Sequence, residues 1–439
     1  MWQVSDSCAD DVRQRRQSFL SQTRLSRGKW LDQPVTESHQ MTVDSVRFHR
    51  RSSSTSSSSS SSSSELQQTA STTYLVTNYH CGGPLSFAFR KLQQDADLRL
   101  LPVVGTAMIL DEEAISSWVG RMFSYLPLPR DGSSNTGLPI HVNGAFALEA
   151  NRKHVKWPSL IGSDRSRDEH LDKHLQWNQC LLREALPTAY CSMLLEAVRL
   201  HASTANPSFS ARTIYYAFPD FSQVDRRWDC VLPILYAELF KNAVVYTEAQ
   251  SGVWVEPRHA IYNTLSESEP ELAAIILAVL AEAGVKVADC PTHVLRAISK
   301  CCRFPLNEIT PVVVSAAVRK VQYGGSSPLS WDSRLRLLRY FLKRGKYDLL
   351  DGLELLPLAN GGFTEVTFNP RKADRPVYTA PTVDVYKLLL VSGSCLEDEF
   401  LDMDIDKDVR KILLDAVRKG RRTLSSCFDL LRLTTSAPL

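Results

Sequence analysis

The order of apolar and polar residues divides the chain into a strand-rich first part and a helix-rich second part. Met41–Phe48 alternates imperfectly and Thr72–Tyr79 (TTYLVTNY) is β-branched and aromatic, so both segments are predicted to be strands. Between them, residues 52–64 are serine apart from Thr55, and such a tract cannot offset the entropy lost when it is ordered. We interpret it as a disordered, expanded loop between neighbouring strands.

Three further strands are predicted after this pair. Leu98–Leu110 is a short apolar run of the kind found in buried strands, and Arg121–Pro129 is a strand closed by prolines. Residues 131–137 (DGSSNTG) have the composition of a turn. Leu138–Val142 is then predicted to be a strand that ends at Asn143-Gly144, a strong turn dipeptide.

From about Asp168 the apolar period becomes that of α-helices. One helical face carries Leu171, Leu175, Leu182 and Leu186, and Pro187 is predicted to interrupt this helix before a second one follows. Later helices are predicted at Glu271–Gly284, Leu335–Leu342 and Asp404–Lys419. The basic residues on the outer face of the helix at 335–342, namely Arg336, Arg339 and Lys343, are predicted to be solvated. The pattern therefore predicts an α+β protein, a mixed β-α-β part followed by a mostly helical part.

Composition narrows the class of protein. The chain has 439 residues, 44% hydrophobic and 23% charged, which fits two or three globular domains. A net charge of +3 is too small to indicate nucleic-acid binding. The longest apolar run, Ala273–Ala281, is too short to span a membrane, and none of the ten cysteines forms a C-x-x-C pair. We therefore expect a cytoplasmic protein with no metal and no cofactor, and neither nucleic acid nor membrane as a partner.

Most of the sequence motifs that would indicate a catalytic or metal-binding site lack one or more of their required residues. His170 and His174 lack the glutamate of a zinc-protease helix, and the run Asp402–Asp406 lacks the glycine and glutamate of a calcium loop. Glu238 and Asn242 have the spacing of the GHKL ATPase box, in which a glutamate activates water and an asparagine helps to hold magnesium. No D-x-G-x-G segment follows them. A catalytic use of this pair stays open as an alternative.

A longer sequence pattern is more specific than any of these short motifs. YLPLPRDGSSNTGLPIHVNGAFALEANRKHVKW (Tyr125–Trp157) closely resembles the segment of sacsin-type repeats that contains FLPLP, TGLPVHVNG, N-R-R and a lysine-tryptophan pair. The segments Trp177–Val198, Val231–Tyr246 and Leu349–Phe363 also resemble the repeat. The resemblance covers about residues 70–390. The chain is thus identified as a member of the sacsin family, matching the region that follows a chaperone-like GHKL ATPase domain.

The resemblance implies a division of the chain and a set of structural residues. Residues 1–40 match poorly, 41–160 are expected to form a transducer-like domain, 165–395 a mostly helical segment, and 396–439 a C-terminal helix and tail. Arg152 and Lys153 are the candidates for contacting a nucleotide phosphate in a parent assembly. The family-motif residues expected to be structural are Pro127, Pro129, Gly137, Leu138, Pro139, His141, Asn143, Gly144, Asn151, Trp157, Pro357, Asn360 and Gly361.

The resemblance also implies a function. A repeat that lacks its nucleotide-binding domain is expected to be a non-catalytic chaperone or co-chaperone module, with no catalytic residues, which contacts proteins in folding or quality control. Its expected partners are chaperones, including heat-shock chaperones, or the proteasome. The alternatives are a divergent GHKL-type ATPase that uses Glu238 and Asn242, or a non-functional fragment of a larger sacsin-like protein.

Overall fold

The computed structural model has an α+β fold, as the sequence predicts. It describes residues 2–5, 10–26, 31–48, 67–115, 118–129, 134–157, 172–204, 207–247, 252–263, 265, 269–324, 329–366, 377–380, 382–391, 397, 400–402, 404–418 and 425–426. The serine tract, which is predicted to be a disordered loop, lies outside these residues.

Helices and strands alternate irregularly along the chain. The helices are α1 (Asp10–Ser26), α2 (Phe87–Gln93), α3 (Glu112–Ile115), α4 (Lys173–Cys180), α5 (Leu186–Ser203), α6 (Ala211–Tyr216), α7 (Val231–Leu239), α8 (Pro270–Glu282), α9 (Thr292–Cys301), α10 (Pro311–Tyr323), α11 (Trp331–Lys343), α12 (Val383–Val391) and α13 (Lys407–Arg418). The strands are β1 (Trp2–Ser5), β2 (Val35–Phe48), β3 (Gln67–His80), β4 (Val103–Ile109), β5 (Met122–Ser124), β6 (Leu126–Pro127), β7 (His141–Gly144), β8 (Val245–Thr247), β9 (Val253–Val255), β10 (Ile261–Tyr262), β11 (Val287–Ala288), β12 (Asn307–Glu308), β13 (Glu354–Pro357), β14 (Phe363–Glu365), β15 (Tyr378–Thr379) and β16 (Ser425–Ser426).

The chain forms two compact units. The first consists of Met1–Tyr246, Val253–His259 and Cys290–Leu306. The second consists of Thr247–Gly252, Ala260–Asp289 and Asn307–Leu439.

A seven-stranded sheet organises the first unit, in the order β1-β2-β3-β4-β7-β5-β6. Strands β2 and β3 pair antiparallel from Val35 opposite His80 to Phe48 opposite Gln67. The prediction that the strands on either side of the serine tract are neighbours is therefore confirmed. The pairs formed by β4 are also antiparallel, whereas β5 runs parallel to β7.

Helix α5 covers one face of this sheet. Leu75 on β3 and Met108 on β4 are fully buried, and so are Tyr190 and Leu194 on α5. The helix contacts β2, β3 and β4. The apolar stripe of α5 would otherwise face water, so burial against the sheet stabilises both elements. The first compact unit therefore continues past residues 160–165, where the family resemblance places a boundary, and includes helices α4 to α7.

The helix before Pro187 does not stop there, so this part of the sequence prediction is wrong. A π-helical turn, Leu181–Ala185, joins α4 directly to α5, with Pro187 in the first turn of α5. The Leu186 N–H donates to the Leu181 carbonyl, five residues back. A proline has no N–H to donate, and the wider turn takes up the change of pattern without breaking the helical run.

The core of the second unit is built mainly from helices α8, α10 and α11 and the antiparallel pair β13–β14. The predicted helices at residues 271–284, 335–342 and 404–419 correspond to α8, α11 and α13. Gly284 follows α8 with φ +70°, a left-handed conformation that ends a helix readily in glycine. Strand β10 pairs in parallel with β11 and with β12.

Candidate functional site

A short antiparallel turn after β7, the basic hairpin (residues 147–156), carries the predicted phosphate-contacting residues. Leu148 bridges Val155, and the Glu149 N–H donates to the His154 carbonyl at 2.8 Å. The Lys156 N–H donates to the Ala147 carbonyl at 3.0 Å. These bonds close the base of the hairpin and leave its tip free to project from the unit.

The side chain of Asn178, on α4, fixes the base of the basic hairpin. Its Oδ1 accepts the Ala147 N–H at 2.8 Å, and its Nδ2 donates to the carbonyls of Ala147 and Lys156 at 2.9 and 2.7 Å. Asn178 is fully buried, and its neighbour Trp177 donates its indole N–H to the Ala145 carbonyl at 2.8 Å. Because a buried amide is costly unless it is bonded, this arrangement holds the hairpin in one position.

An ion pair supports the same junction from the surface. Lys156 Nζ lies 2.8 Å from Asp172 Oδ2, and Asp172 Oδ1 accepts the His174 N–H at the start of α4. The hydrogen bonds from Lys156 and His174 hold the pKa of Asp172 well below its usual range. His174 thus belongs to a helix cap, and its predicted partner in a metal motif, His170, lies outside the described residues.

The tip of the basic hairpin presents Asn151, Arg152 and Lys153 to solvent. Arg152 adopts a left-handed conformation, φ +55°, in a turn closed by its N–H to the Glu149 carbonyl at 2.9 Å. Asn151 Oδ1 accepts the Lys153 N–H at 2.8 Å. Among the described residues, neither basic side chain of the tip has a hydrogen-bond or ion-pair partner. The tip therefore offers two cations on a rigid support.

Aromatic packing beneath the hairpin involves Trp157 and Trp228. Their ring centroids are 5.4 Å apart, and Phe146 meets Trp228 at 6.2 Å. The Arg227 guanidinium lies over Trp157, 5.2 Å from the ring centre, and pairs with Asp225 at 2.8 Å. Phe146 and Trp157 thus pack within the first unit.

Gly137 allows two loops of this region to approach closely. It has φ +71°, and a Cβ there would lie 2.3 Å from the Gln223 carbonyl oxygen. The Asp225 N–H donates to the Thr136 carbonyl at 3.1 Å across the same contact. Since any side chain would displace the Gln223–Asp225 backbone, Gly137 indirectly helps to place Arg227 over Trp157.

Comparison with known proteins tests the resemblance carried by these segments. Over 342 residues the chain is 32% identical to human sacsin. The chain belongs to the sacsin family. The matched residues make up 75% of this chain and span 7% of the length of human sacsin. No protein-family model matches the chain, and no solved structure matches it.

The remaining sacsin-type motif residues in the first unit bind backbone groups or pack. Asn143 Oδ1 accepts the Tyr125 N–H at 2.9 Å, where Tyr125 has φ +60°, and a Cβ on Gly144 would lie 3.0 Å from the Phe146 ring. Leu138 is buried, and Pro127 lies on the edge strand β6. The carbonyls of Pro129 and Pro139 accept bonds from Ser134 and from the Trp118 indole.

Three sacsin-type motif residues belong to the second unit. The Pro357 carbonyl accepts the Asp402 N–H at 3.1 Å. Asn360 Oδ1 accepts the Gly362 N–H at 2.8 Å, and Gly361 has φ +80° in the turn between β13 and β14. These residues shape the hairpin turn between β13 and β14.

The Glu238–Asn242 pair is engaged locally. Helix α7 ends at Leu239, so Asn242 lies beyond it, and its Nδ2 donates to the Glu238 carbonyl at 3.0 Å. The Glu238 carboxylate is exposed and pairs with Lys241 at 2.5 Å. Within the described part of the chain, no group of three or more His, Cys, Asp or Glu residues is placed to hold a metal ion.

Sequence reasoning did not identify Asn178 as a functional residue. The available signal was the tryptophan-asparagine pair Trp177-Asn178, since an asparagine inside an apolar helical pattern is expected to have buried partners.

In the part of the chain that the structure describes, none of the helices has the length and apolar character needed to span a membrane.

His141 gives a pH-dependent prediction. Its imidazole packs on Trp118 with ring centroids 4.1 Å apart, and its Nδ1 accepts the Arg121 N–H at 3.1 Å. Burial, with a smaller effect from the Arg121 charge, lowers the pKa of His141 from 6.5 to about 4. The unfolded chain therefore binds the proton first, so stability falls as the pH drops from about 6.5 to about 4.

The measurement is an NMR titration of the His141 ring protons, with the resonance assigned by its loss in His141→Gln. A midpoint near 4 is expected. His141→Gln should also lose less stability than the unmodified chain between pH 7 and pH 5, because the variant has no imidazole to protonate. A midpoint at the usual histidine pKa would contradict the prediction.

Proposed function

We propose that this chain is a non-catalytic module of a sacsin-type chaperone or co-chaperone, which acts in protein folding or quality control by contacting other proteins. The observation that carries the proposal is the basic hairpin. Its base is fixed by the buried Asn178, while Arg152 and Lys153 at its tip are exposed and unpaired among the described residues. A rigid, exposed tip loses little conformational entropy when it binds.

In a parent assembly, Arg152 and Lys153 would contact the terminal phosphate of a nucleotide held by a separate domain. A cation fixed in advance stabilises the charge that develops during phosphoryl transfer. The hydrogen bonds of Asn178 supply the required rigidity. In this proposal the nucleotide and the catalytic water belong to the other domain, and this chain contributes only the two cations.

The proposed partners are proteins, namely chaperones, including heat-shock chaperones, or the proteasome, in the cytoplasm. We expect the partner surface to be acidic. Arg152 and Lys153 have no ion-pair partner among the described residues, so pairing with an acidic surface breaks no existing ion pair. The competing hypothesis, an ATPase that uses Glu238 and Asn242, lacks a comparable support, because both side chains already have local partners.

The proposal is tested by an aggregation assay with a heat-denatured client protein, with and without Mg-ATP. We expect the chain to slow the growth of light scattering equally in both conditions. The double variant Arg152→Gln, Lys153→Gln should lose this effect, because it removes both cations of the tip. Arg90→Gln, Lys91→Gln is the matched control, since these two residues are also adjacent, basic and exposed.

Calorimetry with Mg-ATP separates the competing hypothesis. The proposed module gives no saturable heat. Saturable binding that Asn242→Ala abolishes would replace the module with the ATPase hypothesis. A folded chain that neither slows aggregation nor binds ATP would favour a non-functional fragment.

A further inference from the structure

A groove in the second unit lies between the first turn of α8 and the last turns of α11. Its volume is about 300 Å³, at the lower end of the range for small-molecule sites. One wall carries Arg336, Arg339 and Lys343, which the sequence pattern predicts to be a solvated face. The opposite wall carries Glu269 and Glu271.

The three cations of this wall differ in how strongly they are paired. Arg336 is fully engaged, because its Nε lies 2.6 Å from Asp332 Oδ2 and its Nη1 lies 2.5 Å from Glu271 Oε2. Its partners are thus already at the distance of a charge-assisted hydrogen bond. Arg336 therefore holds this wall of the groove in place, and few of its N–H groups remain to bind a ligand.

Arg339 and Lys343 are paired only weakly. Arg339 Nη1 is 3.8 Å from Asp406, and Lys343 Nζ is 3.5 Å from Glu269, both longer than a charge-assisted hydrogen bond. The Nε atom of Arg339 is also buried, with no hydrogen-bond partner in the part of the chain that is described. Because that atom is shielded from solvent, a ligand in the groove meets the Nη donors of Arg339, whose side chain is 43% exposed.

The groove also has an apolar surface. Tyr340 and Leu272 line it, and Arg344 lies 4.1 Å from the centre of the Tyr340 ring. The lining has three cations and two carboxylates, and Asp332 and Asp406 pair with two of those cations from outside it. Arg339 and Lys343, the two weakly paired cations, can therefore meet one oxyanion group that is joined to a compact apolar body.

We propose that this groove binds a free small molecule that has one carboxylate or phosphate group and a compact apolar body. The oxyanion takes the donors of Arg339 and Lys343, and the apolar body packs on Tyr340 and Leu272. This site lies in the second unit, and it is independent of the function proposed for the basic hairpin.

The experiment is a calorimetric titration of the full chain with phenyl phosphate and with phenylacetate, which distinguishes the two oxyanions. At least one of them is expected to bind saturably. Arg339→Gln should weaken binding by roughly tenfold or more, the loss expected for one hydrogen bond to a charged group. Lys411→Gln, an exposed lysine on α13 outside the groove, should leave the affinity unchanged.

Two further measurements keep the result interpretable. Arg339→Lys retains the charge without the paired Nη donors of the guanidinium and should bind with intermediate affinity, which shows that Arg339→Gln does not act by unfolding. Phenylacetamide, the neutral analogue, should bind more weakly than phenylacetate. Binding of neither anion, equal affinity in Arg339→Gln, or equal affinity for the neutral analogue would overturn the proposal.

Discussion

Replacing Asn178 by alanine is expected to lower the free energy of unfolding by about 2 kcal/mol or more, since two backbone groups, the Ala147 N–H and the Lys156 carbonyl, lose their partner and each such loss costs about 1–3 kcal/mol. A third bond, from Asn178 Nδ2 to the Ala147 carbonyl, is also lost, but that carbonyl keeps the Lys156 N–H as a donor. Asn178 is fully buried and the Lys156 carbonyl is half-buried, so water cannot replace all the lost bonds without opening the structure. We expect the basic hairpin to become the least protected part of this region.

The measurement is denaturant unfolding followed by tryptophan fluorescence, with hydrogen exchange to locate the loss. Asn151→Ala makes the same chemical change at the exposed tip, where two exposed hydrogen bonds, one from the Lys153 N–H and one to the Glu149 carboxylate, are lost. It should change stability by no more than about 0.5 kcal/mol, as is usual for surface positions. Equal effects of the two substitutions would show that Asn178 does not support the hairpin.

Replacing Gly137 by alanine is also expected to destabilise the first unit, by about 2–5 kcal/mol. The left-handed conformation costs an alanine about 1–2 kcal/mol, and the forced overlap adds about 1–3 kcal/mol. The overlap is with backbone, 2.3 Å from the Gln223 carbonyl oxygen and 2.8 Å from the Asp225 nitrogen. Neither atom belongs to a flexible side chain, so the whole loop must shift.

Gly83→Ala separates these two contributions within the same unit. Gly83 has φ +68°, but a Cβ there would be 3.3 Å from Pro34 and 3.6 Å from Asp32. This variant should lose mainly the conformational part, about 1–2 kcal/mol. Thermal unfolding measures both variants, and the Gly137→Ala chain should also lose the contact of Arg227 with Trp157, seen as a change in tryptophan fluorescence. If the Gly137→Ala and Gly83→Ala variants are equally stable, the close approach of Gly137 to the Gln223–Asp225 backbone does not contribute to stability.

Local patterns predicted the strands and helices well where one face is apolar. The paired strands β2 and β3 and the helices α8 and α11 follow from alternation and helical period, which depend only on neighbours in sequence. The continuous helical path through Pro187 was not predicted, because the π-helical turn before it depends on tertiary packing. The extent of the first unit also depends on which helix covers the sheet, and no local pattern states this.

In the candidate site, too, sequence patterns located some of the residues and not others. Arg152 and Lys153 were located by a family motif, and their exposure agrees with a hairpin tip. The role of Asn178 was not predicted, because its partners lie more than twenty residues away and are backbone groups. Arg339 was predicted to be solvated, since the helical period cannot show that the first turn of α8 faces it across a groove.

The long β2–β3 hairpin has a practical consequence for protein engineering. Phe48 lies opposite Gln67, so the chain leaves and re-enters the sheet at one place. Strand β4 pairs with β3 only from Tyr74 onward, which leaves that end of the hairpin away from the centre of the sheet. An affinity tag or a fluorescent reporter inserted between residues 48 and 67 would therefore leave the strand register and the basic hairpin intact.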